Sequence, residues 1–293
     1  MSIFNNAEHY RKFGYTIIKN VISKDEIKDF KIGYKKIIKS LVTDEIANMA
    51  SGKLENVKIR NDIHIDPIGD PLMQPLLNNI TVPIVTNYRI HEILNSLYKE
   101  ENDYSILMSM LFGRKSGTPG HQDAYYLSSK PVGNITAAWI ALEEINENSG
   151  QFWVLKRDNN NLADLNADEI KNADLYEDFS RKFVENQLKN GAKLIAPNLN
   201  PGDILFWNEL TFHGSFKEKN KNSSRLSFTA HYLPKNKILK YTAYDNRTRN
   251  IEYLDEKYGN FYIRKTSSYK KNNSPKNIRS YDAFGSKDPK FKS

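Results

Sequence analysis

Three successive stretches decide the fold: Ser105-Ile-Leu-Met-Ser-Met-Leu-Phe112, the turn Gly117-Thr-Pro-Gly120, and His121-Gln-Asp-Ala-Tyr-Tyr-Leu127. The first is a short apolar run of the kind used by buried strands. The second is made of residues that set tight turns, and the third resumes with β-prone aromatics. The same alternation continues downstream. Ile135–Leu142, Gln151–Leu155, Lys193–Ala196, Asp203–Trp207 and Leu226–Leu233 read as strands, punctuated by Asn146-Glu-Asn-Ser-Gly150 and Asn200-Pro-Gly-Asp203. Seven such runs, or eight with Tyr15–Ile18, predict a mainly β sandwich or jelly roll.

Around this block the pattern changes. Ser23-Lys-Asp-Glu26 has the form of a capping box, and Ile27, Phe30, Ile37, Ile38 and Leu41 give the following helix one apolar face. Pro67, Pro71, Pro75 and Pro83 break residues 42–87 into loops and short helices, and Arg89–Lys99 reads as a helix. Ala167–Leu188 reads as one or two helices stopped near Gly191, an insertion between strands that serves either as a lid or as a decorated surface loop. After Pro234 no period is visible, and irregular wrapping or partial disorder is expected. The expected organisation is a domain over residues 1–234, with a helical insertion at about 157–190, and a basic C-terminal extension over 235–293 that is partly packed or disordered.

Composition narrows the chemistry. The chain of 293 residues has 39% hydrophobic and 12% aromatic residues, enough for a core, and no cysteine. A disulfide scaffold, a thiolate metal site and a cysteine nucleophile are therefore excluded. Met1–Tyr15 lacks the apolar stretch of a signal peptide and no membrane-length apolar run occurs, so a cytoplasmic location is expected. The net charge of +8 is unevenly placed: residues 235–293 hold 15 basic and 6 acidic residues, leaving 28 and 29 in the rest. The basicity belongs to the tail. It reads as a solvated segment, as a contact for nucleic acid or a membrane surface, or as a wrap completing a pocket for an anionic substrate. No nucleic-acid-binding module accompanies it, so nucleic acid is disfavoured as a partner. A small-molecule substrate is expected, and nothing in the sequence reads out an oligomeric state.

Without cysteine, a metal must be held by His, Asp or Glu. Two His-x-Asp triplets occur, His64-Ile-Asp66 and His121-Gln-Asp123. On a strand, residues i and i+2 share a face and can offer an imidazole and a carboxylate to one ion. His64 and Asp66 precede Pro67 in the proline-broken region and read as a surface turn. His121 and Asp123 follow the Gly-Thr-Pro-Gly turn into a predicted strand, with Tyr125 on the same face. His213, carried by the strand ending at Trp207, supplies a third ligand. Two histidines and one carboxylate with open positions form the facial triad of non-haem Fe(II) oxygenases. If the co-substrate is 2-oxoglutarate, its distal carboxylate calls for an arginine, and Arg225 opens the next strand. His231 shares the face of Arg225 by parity and reads as a core or pocket histidine.

Taken in order, Gly120-His-Gln-Asp123, Ala138-Trp-Ile-Ala-Leu-Glu143, Asn148-Ser-Gly150, Pro201-Gly-Asp203, Trp207, His213-Gly-Ser215 and Arg225-Leu-Ser227 resemble the phytanoyl-CoA dioxygenase family of Fe(II)- and 2-oxoglutarate-dependent oxygenases. The opening Phe13-Gly-Tyr-Thr-Ile-Ile18 is similar to that family's start, so the likeness runs from about Tyr10 to Leu233. It implies a double-stranded β-helix, a cupin-like jelly roll with flanking N-terminal helices. It also implies iron on His121, Asp123 and His213, and 2-oxoglutarate on Arg225 and Ser215. Trp139 matches a family aromatic near the cofactor, and Met108 or Met110 would line the same site. Tyr125 and Trp153 are candidate substrate contacts beside the plainer reading of core aromatics. The implied activity is dioxygen-dependent hydroxylation of an unactivated C–H bond in a small metabolite, with release of succinate and CO2. Asp123 stands where related halogenases carry a small residue, which argues against halogenation. Desaturation or ring formation by the same machinery, and a non-catalytic jelly-roll binding protein, are the alternatives.

Overall fold

The computed structural model describes residues 3–40, 68–69, 71–73, 77–113, 117–156, 173–220, 223–241 and 253–266. His64, Asp66 and the first part of the insertion, residues 157–172, lie outside the described residues.

The N-terminal helices form for local reasons. α1 (Ile3–Phe13) leads into β1 (Tyr15–Ile18), and α2 (Lys24–Ser40) starts at the expected capping box. Glu26 accepts from the Ser23 N–H at 2.7 Å, and Ser23 Oγ accepts from the Glu26 N–H at 3.3 Å. After a short strand β2 (Ile68–Gly69) come α3 (Asn78–Val85) and α4 (Tyr88–Tyr98). The Asn87 side chain caps α4 by accepting from the Arg89 N–H.

The remaining strands are β3 (Tyr104–Phe112), β4 (Leu127–Lys130), β5 (Thr136–Ala141), β6 (Phe152–Lys156), β7 (Lys193–Ile195), β8 (Ile204–Asn208), β9 (His213–Ser215), β10 (Ser227–Pro234), β11 (Ile238–Tyr241), β12 (Tyr253–Tyr258) and β13 (Phe261–Thr266), with α5 (Ala173–Lys189) between β6 and β7. An eight-stranded sheet runs β1-β8-β5-β10-β3-β13-β12 with β2 beside β3; β7-β6-β9 form a second sheet and β11-β4 a third. The fold is thus mainly β, a jelly roll of facing sheets rather than a closed barrel.

Strand alternation divides the large sheet into two faces. Ala138 and Ile140 of β5, Ile204 and Phe206 of β8, and Phe228, Ala230 and Tyr232 of β10 pack with apolar residues of α1 to α4 in one core. Ala137, Trp139, Leu205 and Trp207 point the other way and pack with Phe152 and Val154 of β6. That second layer lies between the sheets. The Pro-Gly-Asp turn before β8 ties the sandwich to the N-terminal segment, because buried Asp203 accepts from the Asn20 N–H at 2.9 Å and from Lys19 Nζ at 2.9 Å.

Two sequence readings differ from the structure. His121–Leu127 is not one strand: His121 makes a single bridge, Asp123–Tyr125 is a 3-10 turn, and extended pairing resumes at β4. The Tyr126 N–H returns to the Asp123 carbonyl at 2.8 Å, and that closure curls the chain. The stretch after Pro234, where no period is visible, supplies β11, β12 and β13; β13 joins β3 in parallel, with Phe261 and Ile263 buried.

Candidate metal centre

Two histidines distant in sequence become direct neighbours through backbone pairing. His213 opens β9, and His121 exchanges both backbone hydrogen bonds with it, at 3.0 and 2.9 Å. Asp123 reaches the same point because Gln122 between them is extended, with φ −112° and ψ 136°. The same-face relation expected of a strand therefore survives in a segment that is not one.

Asp123 Oδ1 lies 3.8 Å from His121 Nε2 and 3.5 Å from His213 Nε2. One ligand atom from each residue lies within 4.8 Å of the others, the one such group of three among the described residues. His121 Nδ1 is 2.9 Å from the Pro119 carbonyl, and His213 Nδ1 is 2.9 Å from the Thr211 carbonyl. A carbonyl only accepts, so in the neutral rings both protons sit on Nδ1 and both Nε2 lone pairs are available. The other carboxylate oxygen, Asp123 Oδ2, accepts from Trp207 Nε1 at 2.8 Å and from His231 Nε2 at 3.2 Å. These donors orient the carboxylate and leave Oδ1 toward the histidines.

Electrostatics agree with the geometry. Burial pushes His213 down to about 3, against the opposing pull of Asp123. Burial also acts to raise the Asp123 carboxyl, but the attraction of His213, His231 and His121, with the His231 hydrogen bond, holds it well below the ordinary carboxylate range. At neutral pH the pair rests as a neutral imidazole and a carboxylate, the forms that ligate a metal. Two imidazole nitrogens and one carboxylate oxygen fit a ferrous ion with open positions.

The glycines beside the histidines have a steric cause. A Cβ on Gly120 would stand 2.7 Å from the Trp153 ring, and one on Gly214 would stand 2.6 Å from that ring and 2.7 Å from the Thr118 carbonyl. Trp153 therefore lies across the backs of both histidine-bearing segments. It belongs to the outer face of β6, packed with Phe179, Phe183 and Val184 of α5, whereas its neighbours Phe152 and Val154 face the inner layer. This placement supports the backbone that carries the two histidines.

The other expected site residues divide as follows. Arg225 is 2% exposed, donates from Nε to the Gly150 carbonyl at 2.6 Å, and stacks its guanidinium 5.1 Å from the Trp139 ring centre. Trp139 stacks on Phe152 at 5.5 Å, and Phe152 stacks on His213 at 5.5 Å, so aromatic contacts connect Arg225 to the His-Asp-His cluster. Ser215 is buried and accepts from the Thr118 N–H at 2.9 Å. Met108 and Met110 stand opposite His231 and Thr229 on the β3–β10 ladder. Tyr125 is buried in a stack on Tyr176 of α5, with ring centres 3.5 Å apart. Sequence reasoning placed His231 on the correct face but missed its bond to Asp123, and gave Trp207 no role. Parity along β8, which alternates Leu205 and Trp207 inward, was the signal available for Trp207.

Comparison with known proteins follows the same lines. The family model described as "Phytanoyl-CoA dioxygenase (PhyH)" matches residues 10–226. The chain belongs to the phytanoyl-CoA dioxygenase family. "Phytanoyl-CoA dioxygenase, peroxisomal" of Bos taurus is 22% identical over 78% of this chain and 67% of its own length. The Mus musculus protein of the same name is 23% identical over 85% and 75%. Among solved structures, the epimerase SnoN in complex with Fe3+, alpha ketoglutarate and nogalamycin RO aligns with a TM-score of 0.58 at 15% identity, covering 89% of this chain and 98% of its own. The carbocyclase SnoK from nogalamycin biosynthesis gives 0.56 at 17% identity, over 81% and 86%. EctD from S. alaskensis, with 2-oxoglutarate and 5-hydroxyectoine, gives 0.55 at 15% identity, over 78% and 75%. These structures share the fold with this member of the family. No helix among the described residues is long and apolar enough to cross a membrane.

Proposed function

We propose that the protein is an Fe(II)- and 2-oxoglutarate-dependent dioxygenase that hydroxylates an unactivated C–H bond of a small metabolite, releasing succinate and CO2. The observation that carries this is the convergence of His121 Nε2, His213 Nε2 and Asp123 Oδ1 within 4.8 Å, with both Nδ1 atoms already committed to carbonyls. Iron and 2-oxoglutarate, when bound, supply the activation of dioxygen that C–H oxidation requires. His121, Asp123 and His213 would hold the ion. Trp207 and His231 keep Asp123 Oδ2 engaged, so the carboxylate presents one oxygen and preserves open positions. Arg225 carries a permanent buried charge that suits the distal carboxylate of 2-oxoglutarate, and the Ser215 hydroxyl would assist it. The aromatic layer of Trp139, Phe152 and Trp207 excludes water from the space between them. Positioning of the substrate, rather than acid–base chemistry, then selects the bond that is attacked. Residues 1–234 form the catalytic domain in this reading, and 235–293 an extension whose strands brace it.

A second outcome of the same machinery is favoured by the structural neighbours, two of which are described as a carbocyclase and an epimerase. The experiment is anaerobic loading with Fe(II) and 2-oxoglutarate, then oxygen, with succinate and product mass followed across a metabolite panel. Succinate with a product heavier by one oxygen atom supports hydroxylation. Succinate with loss of two hydrogens, or with no mass change, selects ring formation, desaturation or epimerisation. Binding of 2-oxoglutarate without succinate across the panel would favour a non-catalytic binding protein.

A further inference from the structure

We propose that Tyr176 of the insertion helix α5 is a positioning residue for the metal site, and that docking of α5 and loading of the metal are coupled through it. The inference rests on the metal reading of His121, Asp123 and His213.

Gln122 is the link between two ligands, and its extended backbone is what turns His121 and Asp123 to one side. A regular strand would satisfy the N–H and C=O of such a residue from the neighbouring strand. Here the bridge to His213 serves His121 and goes no further. Gln122 is fully buried, so its peptide groups need partners from elsewhere. Tyr176 supplies the acceptor for the N–H, and at the carbonyl it joins the Tyr125 N–H, which donates there at 3.3 Å. The Gln122 N–H donates to the Tyr176 hydroxyl at 2.8 Å, and that hydroxyl donates back toward the Gln122 carbonyl at 3.3 Å. At the N–H of the residue that sets the ligand geometry, one side chain from α5 thus takes the place of a neighbouring strand.

The hydroxyl is itself well fixed. Tyr176 is 1% exposed, its ring lies 3.5 Å from that of Tyr125 at an interplanar angle of 4°, and Tyr126 meets it edge-on at 5.6 Å. Tyr126 in turn meets the His121 ring edge-on at 5.9 Å. Burial pushes the Tyr176 hydroxyl well above its ordinary value, so it remains protonated and able to donate. The outer part of α5 carries the exposed pairs of Arg181 with Asp178 and Glu185. The helix is therefore anchored on one side through aromatic packing and this hydroxyl.

Removing the hydroxyl leaves a buried N–H without its partner and frees Gln122 to leave the extended conformation. Loss of groups that orient metal ligands typically weakens metal binding about 10- to 100-fold. Coupling of this kind is reciprocal, so metal binding must also tighten α5.

The test titrates Co(II) alone into the native protein and into Tyr176→Phe, which keeps the ring and its stack. Affinity is read from the Co(II) absorption bands, with thermal melting in parallel and hydrogen exchange of residues 173–189 in the native protein with and without Co(II). The expected result is Co(II) affinity weakened about 10-fold or more in Tyr176→Phe with altered Co(II) bands, and slower exchange of α5 in the native protein once Co(II) is bound. A folded Tyr176→Phe that binds Co(II) within about twofold of native overturns the proposal. If the variant does not fold, the exchange measurement decides: protection of α5 by Co(II) supports the coupling, and unchanged exchange overturns it. A native protein that binds no Co(II) would instead sink the metal reading itself.

Discussion

Strand β10 shows two regions of the molecule back to back. Phe228, Ala230 and Tyr232 join the core shared with the N-terminal helices, while Ser227, Thr229 and His231, in line with Arg225, turn toward the sandwich interior. Every residue of the strand is buried, so burial does not separate the two faces. Chemistry does: one side is apolar apart from the Tyr232 hydroxyl, which donates to the Val85 carbonyl, and the other is polar from Ser227 to His231 and turns apolar only at Leu233. The difference teaches that a single strand serves both stability and the site, assigning alternate residues to each.

The comparison breaks if a substitution on the apolar side silences the site in molecules that remain folded. Phe228→Ala should cost about 3–5 kcal/mol of stability, since it empties a fully buried aromatic position. Urea denaturation measures the loss, and metal affinity of the still-folded fraction should match native. On the polar side, Arg225→Ala should weaken 2-oxoglutarate binding by about 2–5 kcal/mol, the usual effect of truncating one partner of a buried charge pair. Calorimetric titration of 2-oxoglutarate checks this, with Co(II) affinity expected to stay near native.

His231→Leu sharpens the contrast. It removes a donor to Asp123 Oδ2 and should weaken metal binding by about 1.4–2.8 kcal/mol. It also removes a buried Nδ1 that has no hydrogen-bond partner among the described residues, so the melting temperature of the metal-free protein should hold or rise. A site weakened without loss of stability would be the clearest sign of divided labour. The smallest effect is expected for Met108→Leu, a near-isosteric change opposite His231, which should cost less than about 1.5 kcal/mol in stability. A large loss there would show that the inner face also bears packing energy.

The parts legible in sequence are those with short-range patterns. Strands β5, β8 and β10 follow apolar runs closed by turns, and they match their expected limits within one or two residues. The cluster of His121, Asp123 and His213 followed from residue type and order, although the segment around Asp123 proved to be a bridge and a turn. That local shape depends on the closure from Tyr126 to Asp123 and on Tyr176, and neither contact leaves a periodic trace. The bonds from Trp207 and His231 to Asp123 span 84 and 108 residues, so only the folded chain reveals them. Strands β12 and β13 escaped notice because Asp255, Glu256 and Lys257 are all exposed at the sheet edge, leaving Phe261 and Ile263 as a very short alternation.

The pairing of β3 with both β10 and β13 also carries a kinetic cost. Loop-closure entropy must be met before such non-local strands reward each other, which makes high-contact-order sheets slow to form. On a chain made from its N-terminus, Ile106 waits for Tyr232 on one side and for Ile263 on the other. Until then β3 lacks its β10 neighbour along its length and, beyond the short pairing of β2 at Met110 and Leu111, its other edge is open at Tyr104–Ile106, an opportunity for pairing with other chains. The hairpin of β12 and β13, last in chain order among the described strands, closes the edge at Tyr104–Ile106, so truncation before Phe261 should show first as aggregation during synthesis.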